Sequence, residues 1–352
     1  MKYATVLLPL LTFLLLSQTA CQKSDDFGSG DWLLPRDMVR DGGPGRDGIP
    51  SIDRPNFAAV NTGVMDDEEN VLVVKVGDEV RVYPHLILDW HEIVNDRVGE
   101  EYIAITYCPL TGTGIGWNRE VNGTVSTFGV SGLLFNSNLL PFDRETNSIW
   151  SQMRLDCVNG THIESVIETY PIIEMSWKTC KALFPDGQLM TTVTGHNRDY
   201  GRYPYGNYKT SSSFVSTVTP LDNRLHPKER VLGVIIDGKA KTYRFNNFPS
   251  AASATLQDDF QGEPLVIFGS EPQNYMVAYK RQLSDGTLLN FLPSRDATDP
   301  EVAAIDEGGT RWNIFGEAIA GPRAGTQLEA TVNYIGYWFS WGAFYTVPEL
   351  HR

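Results

Sequence analysis

The chain repeats itself. Val71-Leu72-Val73-Val74-Lys75-Val76-Gly77-Asp78 reads like Val231-Leu232-Gly233-Val234-Ile235-Ile236-Asp237-Gly238, and Tyr83 falls opposite Tyr243, an offset of 160. Arg119, Gly123 and Phe128 then match Arg281, Gly286 and Phe291, Trp150 matches Trp312, and Gly160-Thr161 matches Gly325-Thr326. The run from Trp177 to Phe184 resembles that from Trp338 to Tyr345, and the offset drifts only from 160 to 165 along the series. An ordered set of matches at a nearly fixed spacing is what a duplicated unit with small loop changes leaves behind. Residues 57–186 are read as repeat one, 187–230 as a connecting arm without a counterpart, and 231–348 as repeat two.

Each copy is patterned mainly for strands. Val71–Val76 and Glu79–Tyr83 flank Gly77-Asp78, and Asp237-Gly238 occupies the same place in copy two, a hairpin signal. Tyr102–Tyr107 is a continuous apolar run with β-branched residues, the mark of a strand buried on both faces. A second hairpin is expected about Asn122-Gly123, and helical spacing at His85–Val94 and Met175–Leu183. The expected class is α+β and β-rich: two pseudo-symmetric tandem repeats of strands and hairpins with short helices.

The N-terminus reads as a targeting segment. Lys2 precedes an apolar run from Ala4 to Leu16 and then Ser17-Gln18-Thr19-Ala20-Cys21. That run is too short to span a bilayer, which takes roughly 20 apolar residues. A charged start, a short apolar middle and small residues before a cut mark a secretory signal over 1–20. Cys21 stands where a bacterial lipobox places its lipidated cysteine, and 21–56, with Asp41-Gly42-Gly43-Pro44-Gly45-Arg46-Asp47-Gly48, reads as a tether. The expectation is an exported lipoprotein of the cell envelope, held to the membrane through Cys21. A net charge of −14 argues against nucleic acid as a partner. In an oxidising compartment Cys157 and Cys180, 23 residues apart, are expected to pair as a disulfide, leaving Cys108 as the odd thiol.

Several motifs go further. Trp90-His91-Glu92-Ile93-Val94-Asn95-Asp96, Thr106-Tyr107-Cys108-Pro109-Leu110-Thr111-Gly112-Thr113, Phe128-Gly129-Val130-Ser131-Gly132, Asp143-Arg144-Glu145-Thr146 with Trp150-Ser151-Gln152, and Arg198-Asp199-Tyr200-Gly201 with Pro204-Tyr205 stand in this order. With them the chain resembles the bacterial and archaeal family catalogued as domain of unknown function (DUF) 3179, from about Gly43 to about Phe344. The resemblance implies no established activity. Many members carry a second cysteine where this chain has Thr111, so the resemblance gives no support to a two-thiol redox pair here.

The candidate site is centred on Cys108, where a buried strand opens into the glycine-rich loop of Gly112, Gly114 and Gly116. Copy two has no thiol at the aligned Ser270-Glu271-Pro272 and no counterpart of His91-Glu92. Cys108, His91, Glu92 and Asn95 are expected to converge, with Ser131, Asn136, Arg144, Trp150 and Gln152 nearby. The leading reading is a pocket for a small ligand. A thiol enzyme with His91 as base and Glu92 or Asn95 orienting it is a second. In a third, Cys108 and His91, with His85 or His196, hold copper or zinc. A fourth reading is an envelope scaffold without a small-molecule site. The tyrosine-rich arm Arg198–Tyr208 reads as a strap pegged across both repeats, placed so that it can also roof a pocket.

Overall fold

The computed structural model describes residue 1 and residues 30–249, 253–293 and 299–351. Cys21 and all but the first residue of the expected signal lie outside these. Strand accounts for 41% of the structure against 10% helix, in several sheets with three helices. The β-rich expectation holds, and the sheets carry the core.

The first half begins with the hairpin β1 (Asn70–Val76) and β2 (Glu79–Pro84), turning at Gly77 with φ +56°. Helix α1 (His85–His91) follows directly. A meander of β3 (Ile93–Val98), β4 (Glu101–Cys108) and β5 (Thr113–Asn118) comes next. Then β6 (Phe128–Phe135), β7 (Asn138–Asp143), β8 (Ile149–Ser151) and β9 (Asp156–Asn159) make an antiparallel sheet, edged on β6 by Arg40–Asp41. Last come β10 (Ile173–Ser176), α2 (Trp177–Leu183) and β11 (Gln188–Met190); β10 pairs antiparallel with β1, and β11 parallel with β2. The expected helix over His85–Val94 is shorter than its spacing suggests. Glu92 turns left-handed at φ +58°, and β-branched Ile93 and Val94 join β3. Likewise Met175 ends a strand, and the helix begins at Trp177 behind the Ser176 cap. At Asn122-Gly123 only Glu120–Val121 and Thr124–Val125 pair; the longer arms of that expected hairpin join other sheets.

The second half opens with β12 (Arg230–Ile236) and β13 (Lys239–Arg244), then a single 3-10 turn at Phe245–Asn247. A meander follows: β14 (Ala254–Phe260), β15 (Glu263–Ser270) and β16 (Tyr275–Lys280). Short strands at Ala304–Ile305, Arg311–Trp312 and Ala318–Ala320 precede β17 (Val332–Tyr337), α3 (Trp338–Phe344) and β18 (Glu349–Leu350). Here β17 pairs antiparallel with β12, and β18 parallel with β13.

Alternation along the hairpin strands explains their unbroken apolar runs. Leu72, Val74 and Tyr83 face the first half's own meander, packing with Ile103, Ile105 and Tyr107. Val71, Val73 and Val82 face the other way, into a core shared with Val266, Phe268 and Trp312 of the second half. The second half reciprocates: Leu232, Val234 and Tyr243 pack on Leu265 and Ile267, while Val231 and Ala240 enter the core of Trp117, Phe128 and Trp150. A strand with two dry faces has no room for polar alternation. Each such side chain contributes roughly 1.5–3 kcal/mol by burial.

The cysteine pairing expected from sequence is corrected here. Cys108, Cys157 and Cys180 are all buried free thiols. Cys157 sits on β9 opposite Trp150, its sulfur 3.3 Å from the carbonyls of Ile149 and Asn159. Cys180 lies on α2 in the other core, with Val71, Met175 and Trp177. Side chains that serve separate cores cannot approach to the ~7 Å between Cα atoms that a bridge requires.

Candidate functional site

Cys108 ends β4, buried at 1% exposure, with its sulfur 3.7 Å from the Ser137 carbonyl. The loop after it closes tightly: the Gly112 amide donates to the Cys108 carbonyl at 2.8 Å. Gly112 has φ +62°, and a Cβ there would lie 3.0 Å from the Tyr337 ring, so only glycine fits. The Tyr337 amide donates to the Thr111 carbonyl at 2.8 Å, which docks this loop on the end of β17 in the second half.

The arm covers the loop. Tyr203, Tyr205, Tyr208 and Phe214 pack on the core that holds Cys108. Tyr203, Tyr205, Tyr208, Tyr337 and Lys228 all lie within electrostatic reach of Cys108. Glu92, buried, accepts from the Tyr205 hydroxyl at 3.3 Å. Desolvation, with some repulsion from Asp89, raises the Glu92 carboxyl to about 7. Burial, then the Glu92 charge, pushes the Cys108 thiol up to about 11. At neutral pH this is a protonated thiol, not a nucleophilic thiolate.

Beside this lies a second layer of titratable groups, with His85, Asp89 and Glu174 buried and Lys209 and Arg230 partly exposed. His85 and Asp89 come from α1, Glu174 from β10, Lys209 from the arm and Arg230 from β12. Lys209 Nζ stands 3.3 Å from Asp89 Oδ2, and Arg230 pairs with Glu174. Burial lifts Asp89 to about 7 against the pull of Lys209. Burial also holds His85 well below its ordinary value, so the ring is neutral. His85 Nε2, Asp89 Oδ1, Glu174 Oε2 and the Tyr208 hydroxyl find no hydrogen-bond partner. His85 Nε2 and Glu174 Oε2 face each other at 3.7 Å, too far for a hydrogen bond. Each unsatisfied buried group costs about 1–3 kcal/mol.

The other expected residues are placed elsewhere and are otherwise employed. His91 Nδ1 lies 2.7 Å from the Pro50 carbonyl and Nε2 2.7 Å from the Tyr200 hydroxyl, which leaves neither nitrogen to serve Cys108. Desolvation lowers this ring to about 4. Asn95 clamps β3 to β6: it donates to the Phe128 carbonyl at 2.8 Å and accepts from the Phe128 amide at 2.9 Å. Ser131 donates to the Leu140 carbonyl at 2.5 Å where the β6–β7 register shifts. Asn136 bonds Thr219 and the Ala343 carbonyl, and Arg144 grips Asp47 with two bonds of 2.8 and 2.9 Å. Trp150 donates to Asp143 at 3.0 Å. Gln152 accepts from Thr113 and Asn138, both at 2.7 Å, and donates to Thr106 and the Thr113 carbonyl, both at 3.1 Å, in a dry network behind the thiol loop.

Among the described residues no group of three or more His, Cys, Asp or Glu side chains is placed to hold a metal ion. The copper or zinc expectation therefore has no ligand set: His85, His91 and Cys108 each have separate surroundings. An open cleft of about 460 Å³ lies away from Cys108, lined in part by Lys75, Tyr170, Tyr279, Phe315, Glu317 and Gln327. Its polar groups already have partners, Lys75 with Glu317 and Gln327 with the Phe315 and Leu328 carbonyls.

Fold and site together define a β-rich protein whose two sheet systems pack across each other and whose connecting arm closes over a buried thiol. The chain belongs to the family described as protein of unknown function (DUF3179), whose model matches residues 46–349. Comparison with the curated proteins and with the solved structures finds no match to this chain.

Proposed function

We propose that this protein is an exported lipoprotein, anchored through Cys21, that holds a small organic ligand in the closed site about Cys108. The observation that carries this reading is the cluster of unpartnered buried polar atoms on His85, Asp89, Glu174 and Tyr208. A ligand with both donors and acceptors would satisfy them, and the tyrosines of the arm would cover its apolar surface. Binding is favoured over thiol catalysis because the thiol is held protonated and its expected base, His91, is engaged elsewhere.

In the same reading the two halves are copies of one unit. Support comes from paired details: Tyr83 donates to Asp96 and Tyr243 to Asp258. Trp150 donates to Asp143 and Trp312 to Asp306. The strand before each helix pairs antiparallel with its hairpin, and the strand after it parallel. One copy kept the polar site, and the other supplies its far wall.

Native mass spectrometry of the purified chain tests the ligand reading. A small-molecule adduct that survives gentle ionisation, leaves on denaturation and is missing from a Glu174→Leu variant supports it. A bare mass under the same gentle conditions overturns it.

A further inference from the structure

Lys228 stands at the end of the connecting arm, and nothing in the ligand reading alone uses it. Its side chain is 5% exposed. The amine nitrogen lies 3.3 Å from the Tyr208 ring centre, 4.8 Å from that of Phe339, 5.1 Å from Phe214 and 5.6 Å from Tyr337. It donates to the Ser213 carbonyl at 3.0 Å. No carboxylate among the described residues is paired with it, and burial pushes it down to about 7. Tyr208, whose ring is the closest face, carries a buried hydroxyl without a partner.

These groups have a joint chemical use. The ring faces about the amine favour its ammonium form; once it gives up a proton, it still donates an N–H to Ser213 and has its lone pair free for an electrophile. Desolvated lysines in apolar pockets are the ones that condense with carbonyls. An unpartnered phenol beside the amine is a donor for the oxygen that such a carbonyl brings. We propose that Lys228 forms a Schiff base with a ligand bearing an aldehyde or ketone, with the Tyr208 hydroxyl bonding to the carbonyl oxygen. The amine lone pair attacks the carbonyl carbon, and the C=O π pair moves to oxygen. The proton shed by nitrogen ends on that oxygen. The nitrogen lone pair then forms C=N as the C–O bond breaks, and the oxygen leaves as water. Amine and carbonyl become imine and water, and no oxidant or reductant is consumed.

The inference rests on the closed site being a ligand site and names the ligand's class. The experiment treats the whole chain with propanal and sodium cyanoborohydride, which reduces an imine to a stable secondary amine, and maps the product by peptide mass. Iodoacetamide is run in parallel on Cys108. The expected result is propylation concentrated on Lys228, rising with pH to about 7 and then level. Exposed lysines, with an ordinary pKa of about 10.4, should keep gaining about tenfold per pH unit. Tyr208→Phe, which removes only the hydroxyl, should slow Lys228 labelling several-fold while leaving exposed lysines unchanged. Lys228→Met should abolish the preferred product; if that variant misfolds, Tyr208→Phe still decides. Lys228 left unmodified, whether or not Cys108 is alkylated, overturns the carbonyl proposal; an adduct in the native mass spectrum then shows that the ligand site itself still stands. Lys228 labelled with the pH profile of exposed lysines also overturns the proposal.

Discussion

Replacing Glu92 by Gln should stabilise the protein at alkaline pH, an unusual result for a buried residue in a closed site. The Glu92 carboxyl is 6% exposed, and its side-chain contact is the Tyr205 hydroxyl. Burial first, then repulsion from Asp89, raises it to about 7 from an ordinary 4.5. A carboxyl whose folded pKa exceeds its unfolded one binds protons more tightly in the native state. Stability is therefore full below the unfolded value and is lost as pH rises through the folded one. The shift of about 2.5 units corresponds to ~3 kcal/mol lost by about pH 8 and under ~1 kcal/mol at about pH 5. Gln keeps the shape and the acceptor for Tyr205 and never ionises. Urea unfolding followed by fluorescence of the buried tryptophans should show Glu92→Gln more stable than wild type by ~2–3 kcal/mol at about pH 8, converging near pH 5. A variant that is less stable at both pH values, with the wild-type pH slope retained, would refute a neutral buried carboxyl here.

Three further outcomes follow from named contacts. Gln152→Leu removes four hydrogen bonds from a dry network, taking one partner each from the Thr106 and Thr113 hydroxyls and Asn138, and should cost ~2–4 kcal/mol in urea unfolding. Lys209→Met removes the ion pair that ties the arm to Asp89; iodoacetamide should reach Cys108 several-fold faster, and limited proteolysis should begin near the arm. Thiol titration of the denatured, unreduced chain should count Cys108, Cys157 and Cys180 all as free; a value short by two would restore the disulfide.

What the sequence made legible was local. Gly77-Asp78 and Asp237-Gly238 announced their hairpins because a two-residue turn must take the left-handed region, and Gly77, Asp237 and Gly238 do. Tyr102–Tyr107 read as buried because both faces of β4 are dry. The helix over-runs at His85–Val94 and Met175–Leu183 arose where apolar residues at helical spacing belong to strands that abut the helices directly. In the site, Cys108 and the arm's tyrosines were visible as motif and composition. Lys228, Arg230, Tyr337 and Glu174 were not, because they come from segments distant in sequence and carry no local signature. Asn95, Ser131, Asn136 and Arg144 stood out as polar residues in or beside the motifs. Their role is to satisfy backbone groups and fix loops, a duty that spacing alone does not separate from chemistry.

The placement of the site follows from how the halves pack. β5 of the first half lies against β17 of the second, and β16 of the second against β10 of the first, so each meander closes on the other half's sheet. That exchange sets the ends of β4 and β17 side by side, and the Tyr337 amide takes the Thr111 carbonyl across the seam. Neither half holds the complete set: the thiol, Glu92, Asp89 and His85 are in the first, Arg230 and Tyr337 in the second, and Tyr208, Lys209 and Lys228 on the arm between them. The arm closes the seam on the side where these polar groups lie. At the corresponding end of the second half β15 runs into Ser270, and the 3-10 turn at Phe245–Asn247 replaces α1, so the groups that would line a second site are missing. Each half thus supplies one wall of the seam. The buried polar groups sit where a loop, an arm and a strand end meet; Lys209 with Asp89 ties the arm to α1, and Arg230 with Glu174 ties β12 to β10.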